Sequence, residues 1–136
     1  MAGVRRKARV VALQTLYEVD CAGHDAEKAV GRLVKEANLP EASVAFVREL
    51  VSGVLQNKGE IDRNIGNFAT AWPVEQIPIV DRNILRLAIF EILLDNKVPV
   101  RAVINEAVEL AKAFGSENSP KFVNGVLGSV SSLGHR

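Results

Sequence analysis

The chain has a single cysteine, Cys21, and two histidines, His24 and His135. One cysteine excludes an intrachain disulfide framework and suits a reducing, cytoplasmic compartment. Neither histidine stands in a zinc-ligand spacing, and there is no Gly-rich phosphate loop or nucleophile elbow. The residues present therefore point away from catalysis, and they imply no metal and no cofactor. No apolar run reaches the 18 residues expected of a membrane-spanning helix, and residues 1–20 lack the apolar core of a signal peptide. Alternation with period two, internal repeats and low-complexity tracts are also missing. At 136 residues the expectation is one domain of ordinary size, covering residues 1–136.

What the chain does have is helical periodicity. The stretch Asp81–Asn96 carries Ile84, Leu85, Leu87, Ala88, Ile89, Phe90, Ile92, Leu93 and Leu94. A helix apolar on nearly every side is one that other helices surround. Its charges, Asp81, Arg82, Arg86, Glu91 and Asp95, gather mostly toward its ends. The other segments read as its packing partners. Residues 5–20 form a first helix with Ala8, Ala12, Leu16 and Val19 inward. Asp25 caps a second, with Ala29, Val30, Leu33, Val34 and Ala37 inward. A third buries Val44, Val47, Leu50, Val51, Val54 and Leu55. A fourth runs through Ile61, Ile65, Phe68 and Trp72 to Pro73, and Pro78 falls in the first turn of the central helix. Pro99 opens a helix whose inward stripe ends at Phe114, with Gly115 at C′. Ser119 reads as an N-cap with Pro120 at N1, Phe122 to Val130 as the last stripe, and Ser131–Arg136 as a frayed tail. The fold class is all-α, about seven helices around a largely buried central one.

The net charge of +1 conceals an asymmetry. Residues 1–17 carry Arg5, Arg6, Lys7 and Arg9 and no acid, and the remainder is mildly acidic. A basic arm at about residues 1–9 on an acidic body suits nucleic acid or an acidic surface. At 100° per residue, Arg6, Val10, Gln14 and Tyr17 share a ridge with Lys7 beside it. Cations can pair with phosphates, the amide can read a base edge and the ring can stack on an unpaired base. The same ridge also reads as a solvated helix start. A second region is the polar loop Gly115–Ser119 leading into Pro120, Lys121 and Phe122. A helix N-terminus with Lys121 can hold a phosphate and Asn118 can bond a base or sugar. It reads equally as a capped turn with Phe122 in the core.

Three blocks carry a resemblance. Arg5-Arg6-Lys7-Ala8-Arg9 with Ala12-Leu13-Gln14-Thr15-Leu16-Tyr17 is the first, and Asp81 to Ala88 continuing to Glu91 the second. The third is Ile104 to Lys112, Phe114-Gly115 and Lys121 to Leu127. In order and spacing they resemble the bacterial NusB family over nearly the whole chain. The resemblance implies two small helical bundles and a non-enzymatic transcription antitermination factor. It implies binding to single-stranded boxA-like RNA of ribosomal leader transcripts, together with the ribosomal protein NusE and the RNA polymerase elongation complex. Carried over, Arg5, Arg6, Lys7, Arg9, Gln14 and Tyr17 meet RNA, as do Asn118, Lys121 and Phe122, while Asp81 and Arg82 face NusE. Some members have an acid where Asn118 stands, and a neutral amide removes one repulsion against phosphate. Some members also form homodimers through the RNA-binding surface.

Two other readings fit the residues: a helical DNA-binding regulator, and a protein-only scaffold whose basic arm meets an acidic partner. Under the RNA reading, Arg6 and Arg9 are surface groups whose reversal to Glu removes binding and spares the fold.

Overall fold

The computed structural model describes residues 2–134. Met1, His135 and Arg136 lie outside the described residues, so the expectation that His135 sits in a tail is left open. Seven helices follow in order: α1 (Ala2–Ala22), α2 (Ala26–Glu36), α3 (Glu41–Gln56), α4 (Lys58–Phe68), α5 (Ile79–Ile89), α6 (Val100–Phe114) and α7 (Ser119–Gly134). Among the described residues there is no strand. A 3₁₀ turn, Val74–Gln76, precedes α5, and a π-helical stretch, Phe90–Asp95, continues it.

Helices α1, α2 and α3 pack on one another, as do α4 to α7, and α5 touches both groups. The reason lies in its side chains. Ile84, Leu85, Leu87, Ala88 and Ile89 are all buried, so α5 has no solvent face to spare. The core joins Leu16 of α1, Leu50 and Val54 of α3, Ile61 and Ile65 of α4, and Val123 and Leu127 of α7 around it.

Local chemistry explains most boundaries. Asp25 accepts a hydrogen bond from the Lys28 backbone N–H at 3.0 Å, the expected cap of α2. Asn38 and Asn96 take left-handed backbone conformations after α2 and after the π-helical stretch, a common way to end a helix. Pro40, Pro78 and Pro99 each stand immediately before a helix, Pro78 one position earlier than its expected place in the first turn.

Other expectations change. The first helix is longer than residues 5–20 at both ends. Trp72 lies outside α4, which stops at Phe68, and it is exposed. The last helix continues through residues expected to fray, to Gly134. Gly115 adopts an extended conformation, φ −90°, instead of the left-handed one. Its missing side chain matters for space: an added Cβ would fall 2.5 Å from Ser119 Cβ and Oγ. Ser119 begins α7, but its hydroxyl donates to Asp81 Oδ1 at 2.7 Å and accepts from the Ser116 N–H at 2.9 Å.

The charges of α5 are also inside. The Arg82 guanidinium donates Nε and Nη2 to the two oxygens of Asp20 at 2.7 and 2.8 Å. Arg86 donates Nε and Nη2 to Asp62 at 2.8 and 3.0 Å and Nη1 to Asp20 at 2.9 Å. Asn83 completes the set on Asp20 at 2.9 Å. Among the described residues, no buried side-chain nitrogen or oxygen lacks a partner.

Two predictions follow from this packing. A Cβ on Gly53 would sit 2.2 Å from the Phe90 ring, so Gly53→Ala should cost about 1–3 kcal/mol in urea denaturation, and Phe90→Leu in the same chain should recover part of the loss. Hydrogen bonds from Arg82, set against a burial cost and helped by Asn83 and the Arg86 charge, hold the Asp20 carboxyl well below the usual range. Its stabilisation is present above the unfolded value of about 3.9 and is lost as pH falls toward the lower folded value. Denaturation at pH 4 and pH 2 should show a drop in stability that Asp20→Asn makes shallower.

Candidate nucleic-acid interface

The N-terminal cations separate into two groups. Arg5, Arg6 and Lys7 are exposed, whereas Arg9 is buried. The Arg9 guanidinium donates Nε and Nη2 to Glu91 at 2.9 Å each, across the interior from α1 to the π-helical stretch. Arg9 therefore leaves the expected RNA-facing set. One turn of α1 places Ala8, Arg9 and Ala12 toward the core, and a cation on that face needs a buried acid. Reversing Arg9 to Glu would set two carboxylates together inside the protein, so that substitution cannot spare the fold.

Two of the exposed cations, Arg5 and Arg6, have side-chain partners. Arg5 and Arg9 lie over the Phe46 ring of α3, their guanidinium carbons 4.7 and 5.4 Å from its centre, within cation–π range. Arg6 makes a two-pronged pair with Glu106 of α6, Nε to Oε1 at 3.0 Å and Nη2 to Oε2 at 2.8 Å. Gln14 and Tyr17 are exposed on the same side of α1, and Tyr17 lies about 16 Å along the axis from Arg6 at 1.5 Å per residue.

Gln14 and Tyr17 line an open groove of about 460 Å³ with Leu13, Glu18, Val80 and Phe114, a size typical of ligand clefts. Arg6 meets Glu106, and Gln14 shares its groove with Phe114. Both partners are thus eight residues further along their own helices, so α1 and α6 run in the same direction and meet through long side chains, not by close packing of their backbones. The seam between them begins with cations and ends with an amide and two rings.

Phe114 is a site residue that periodicity hides. The α6 stripe Val103, Ala107 and Leu110 is buried, yet Phe114 is 43% exposed because the helix runs past the core at its last turn. Its position just before Gly115 was the one available sign.

The second region lies next along the chain. Asn118 and Lys121 are exposed and Phe122 is half-buried. They line a cleft of about 530 Å³ with Phe68, Thr70 and Ala71. Three residues separate Phe114 from Asn118, so their Cα atoms are at most about 14 Å apart. The loop between them, residues 115–118, is held by the Asp81–Ser119–Ser116 hydrogen bonds.

Asp81 and Arg82, expected to face NusE, are turned inward. Asp81 is 5% exposed and bonded to Ser119. Arg82 is occupied by Asp20 and by the carbonyl oxygen of Glu75 at 2.9 Å. Both shape the surface from beneath it. Among the described residues no group of His, Cys, Asp and Glu could hold a metal ion, and no helix is long and apolar enough to cross a membrane.

The buried pair gives a direct test. Arg9→Ala should destabilise by about 3–5 kcal/mol, because it leaves Glu91 charged and unpartnered in the interior. Arg9→Met with Glu91→Leu should restore most of that loss in urea denaturation.

Comparison with known proteins identifies the family. The model of the NusB family matches residues 6–132. The chain is 55% identical over 131 residues to the transcription antitermination protein NusB of Dehalococcoides mccartyi strain CBDB1, covering 96% of this chain and 92% of that protein. It is 49% identical over 132 residues to NusB of Roseiflexus castenholzii, covering 96% and 93%. T. maritima NusB superposes with a TM-score of 0.88 at 32% identity, covering 94% of this chain and 90% of that one. A crystal structure of the antitermination factors NusB and NusE in complex with dsRNA superposes with a TM-score of 0.89 at 28% identity, covering 98% and 99%. The chain belongs to the NusB family of transcription antitermination proteins.

Proposed function

We propose that the α1–α6 seam and the α7 cleft bind single-stranded, boxA-like RNA of ribosomal leader transcripts. NusE binds alongside, and the assembly keeps RNA polymerase elongating in the cytoplasm. One observation carries this reading: Arg6, Lys7, Gln14 and Tyr17 are exposed along one side of α1, Phe114 lines the same groove as Gln14 and Tyr17, and Asn118 and Lys121 are exposed a few residues after it, while Arg5 flanks the run over Phe46. Cations there neutralise phosphates, the rings of Tyr17, Phe114 and Phe122 offer stacking faces, and the amides of Gln14 and Asn118 read base edges. The neutral Asn118 adds no charge opposed to phosphate.

A duplex reading also has support, since the related NusB–NusE structure holds dsRNA. The long seam with its exposed rings favours unpaired bases, which can splay out and stack. Asp81 and Arg82 lie under the face proposed for NusE, their side chains engaged by Ser119 and Asp20. RNA and NusE should raise each other's affinity by the same factor, as linkage requires. A homodimer through this same face would compete with RNA.

Four exposed cations, Arg5, Arg6, Lys7 and Lys121, give a slope of log K against log salt near −3, at about −0.7 for each phosphate on a single strand. Arg6→Glu with Lys121→Glu should abolish binding to boxA-like RNA in an anisotropy titration while circular dichroism stays helical. Equal affinity of the variant, or tighter binding of the wild-type chain to duplex DNA of the same length, would overturn the reading.

A further inference from the structure

One acid of the seam bonds directly to a cation of α1. Glu106 comes from α6, and its carboxylate takes both prongs of Arg6. The Arg6 side chain is 51% exposed and that of Glu106 is 20% exposed, so the pair stands at the rim with the acid on the protein side. Below it, Glu106 lines one small void with Arg9, Glu91, Ile84 and Leu110. The Glu106 side chain thus lies beside the buried Arg9–Glu91 pair, within reach of the Arg9 charge. Arg6 and, more weakly, Arg9 hold Glu106 ionised, its carboxyl below the usual range against the cost of burial.

An arginine offers five N–H groups in a rigid plane. Glu106 takes the Nε–Nη2 edge. The Nη1 hydrogens and the second Nη2 hydrogen remain, and they form the outer edge of the same plane. That edge matches the two-oxygen face of a phosphate. A free arginine at a helix start would sample many rotamers, and ordering it on binding carries an entropy cost. In this structure that cost is already met by α6.

We propose that Glu106 is a positioning residue for RNA binding, which fixes the Arg6 guanidinium with its outer edge facing the phosphate backbone. This rests on the RNA reading of the seam. Two effects oppose each other when the acid is removed. Loss of a negative charge beside the strand raises affinity, and loss of the preset guanidinium lowers it. Neutralisation in the pair is mutual, so removing Glu106 also frees the Arg6 charge, and weaker binding by that variant can come only from lost orientation. Glu109 is the matched control: it lies on the same helix and acts on Arg6 by charge alone, while bonding Lys112 at 3.2 Å.

The experiment is anisotropy titration of the full chain with a labelled, short, single-stranded boxA-like RNA at two salt concentrations. Glu106→Ala should weaken binding by about fivefold, the range of an exposed, well-formed pair, and make the salt slope shallower by about 0.7, one phosphate contact. Glu106→Gln, which keeps an acceptor oxygen for one prong, should fall between. Glu109→Ala should bind as wild type or more tightly. Arg6→Ala with Glu106→Ala should be no weaker than Arg6→Ala alone. Unchanged or tighter binding by Glu106→Ala, with Arg6→Ala still weakened, would overturn the positioning role and leave the RNA reading standing. If Arg6→Ala binds as wild type, the assignment of Arg6 to RNA fails, and this role for Glu106 fails with it.

Discussion

The charges on α5 hold the arrangement of helices in register. An apolar helix packed on all sides has little to choose between one rotation and another, since Leu and Ile fill similar volumes. Buried charges remove that freedom, because each must meet a partner or carry a large desolvation cost. On α5 and its π-helical continuation, Asp81 meets Ser119 of α7, Arg82 and Arg86 meet Asp20 of α1, Arg86 also meets Asp62 of α4, and Glu91 meets Arg9 of α1. Three different neighbours are thereby tied to defined positions along one axis. The apolar contacts supply the gross stabilisation, and the polar ones select the geometry.

That selection reaches the surface. Helix α1 is attached to α5 at both ends of its inner face, through Arg9 and through Asp20. Its outer face is consequently presented at a set angle, and Arg6 can meet Glu106 while Gln14 and Tyr17 share a groove with Phe114. The Asp81–Ser119 bond does the same for the start of α7, which carries Lys121 and Phe122. Phe90 adds to this by filling the space over Gly53, so that α3, and with it the Phe46 ring under Arg5, is seated closely on the π-helical stretch. The RNA-binding surface proposed for this protein is therefore a product of the interior, with the interior's own ionic pairs lying directly beneath it.

Much of this was legible in the residues. Periodicity located seven helices because an amphipathic stripe follows from 3.6 residues per turn, and proline and Asp25 marked their starts by local chemistry. The surrounded character of Asp81–Asn96 was visible in its composition. The exposed ridge of Arg6, Gln14 and Tyr17 followed from angular spacing on a single helix. Trp72 was misplaced because its spacing from Phe68 suits a helix that the chain leaves at Ala69. Arg9, Asp81 and Arg82 look like surface groups by type, and nothing local distinguishes a charge with a buried partner from one in water.

Sequence by itself determined the helical class, the central element and the family to which the chain belongs, since each depends on short-range pattern or on ordered similarity along the chain. Tertiary structure alone decided which cations are free, that Phe114 emerges beside Tyr17, and that Glu106 faces Arg6. Those are relations between residues as far as 100 positions apart. The energy of a buried charge depends on what the fold brings to it, and the same arginine is a structural tie at position 9 and an exposed hand at position 6.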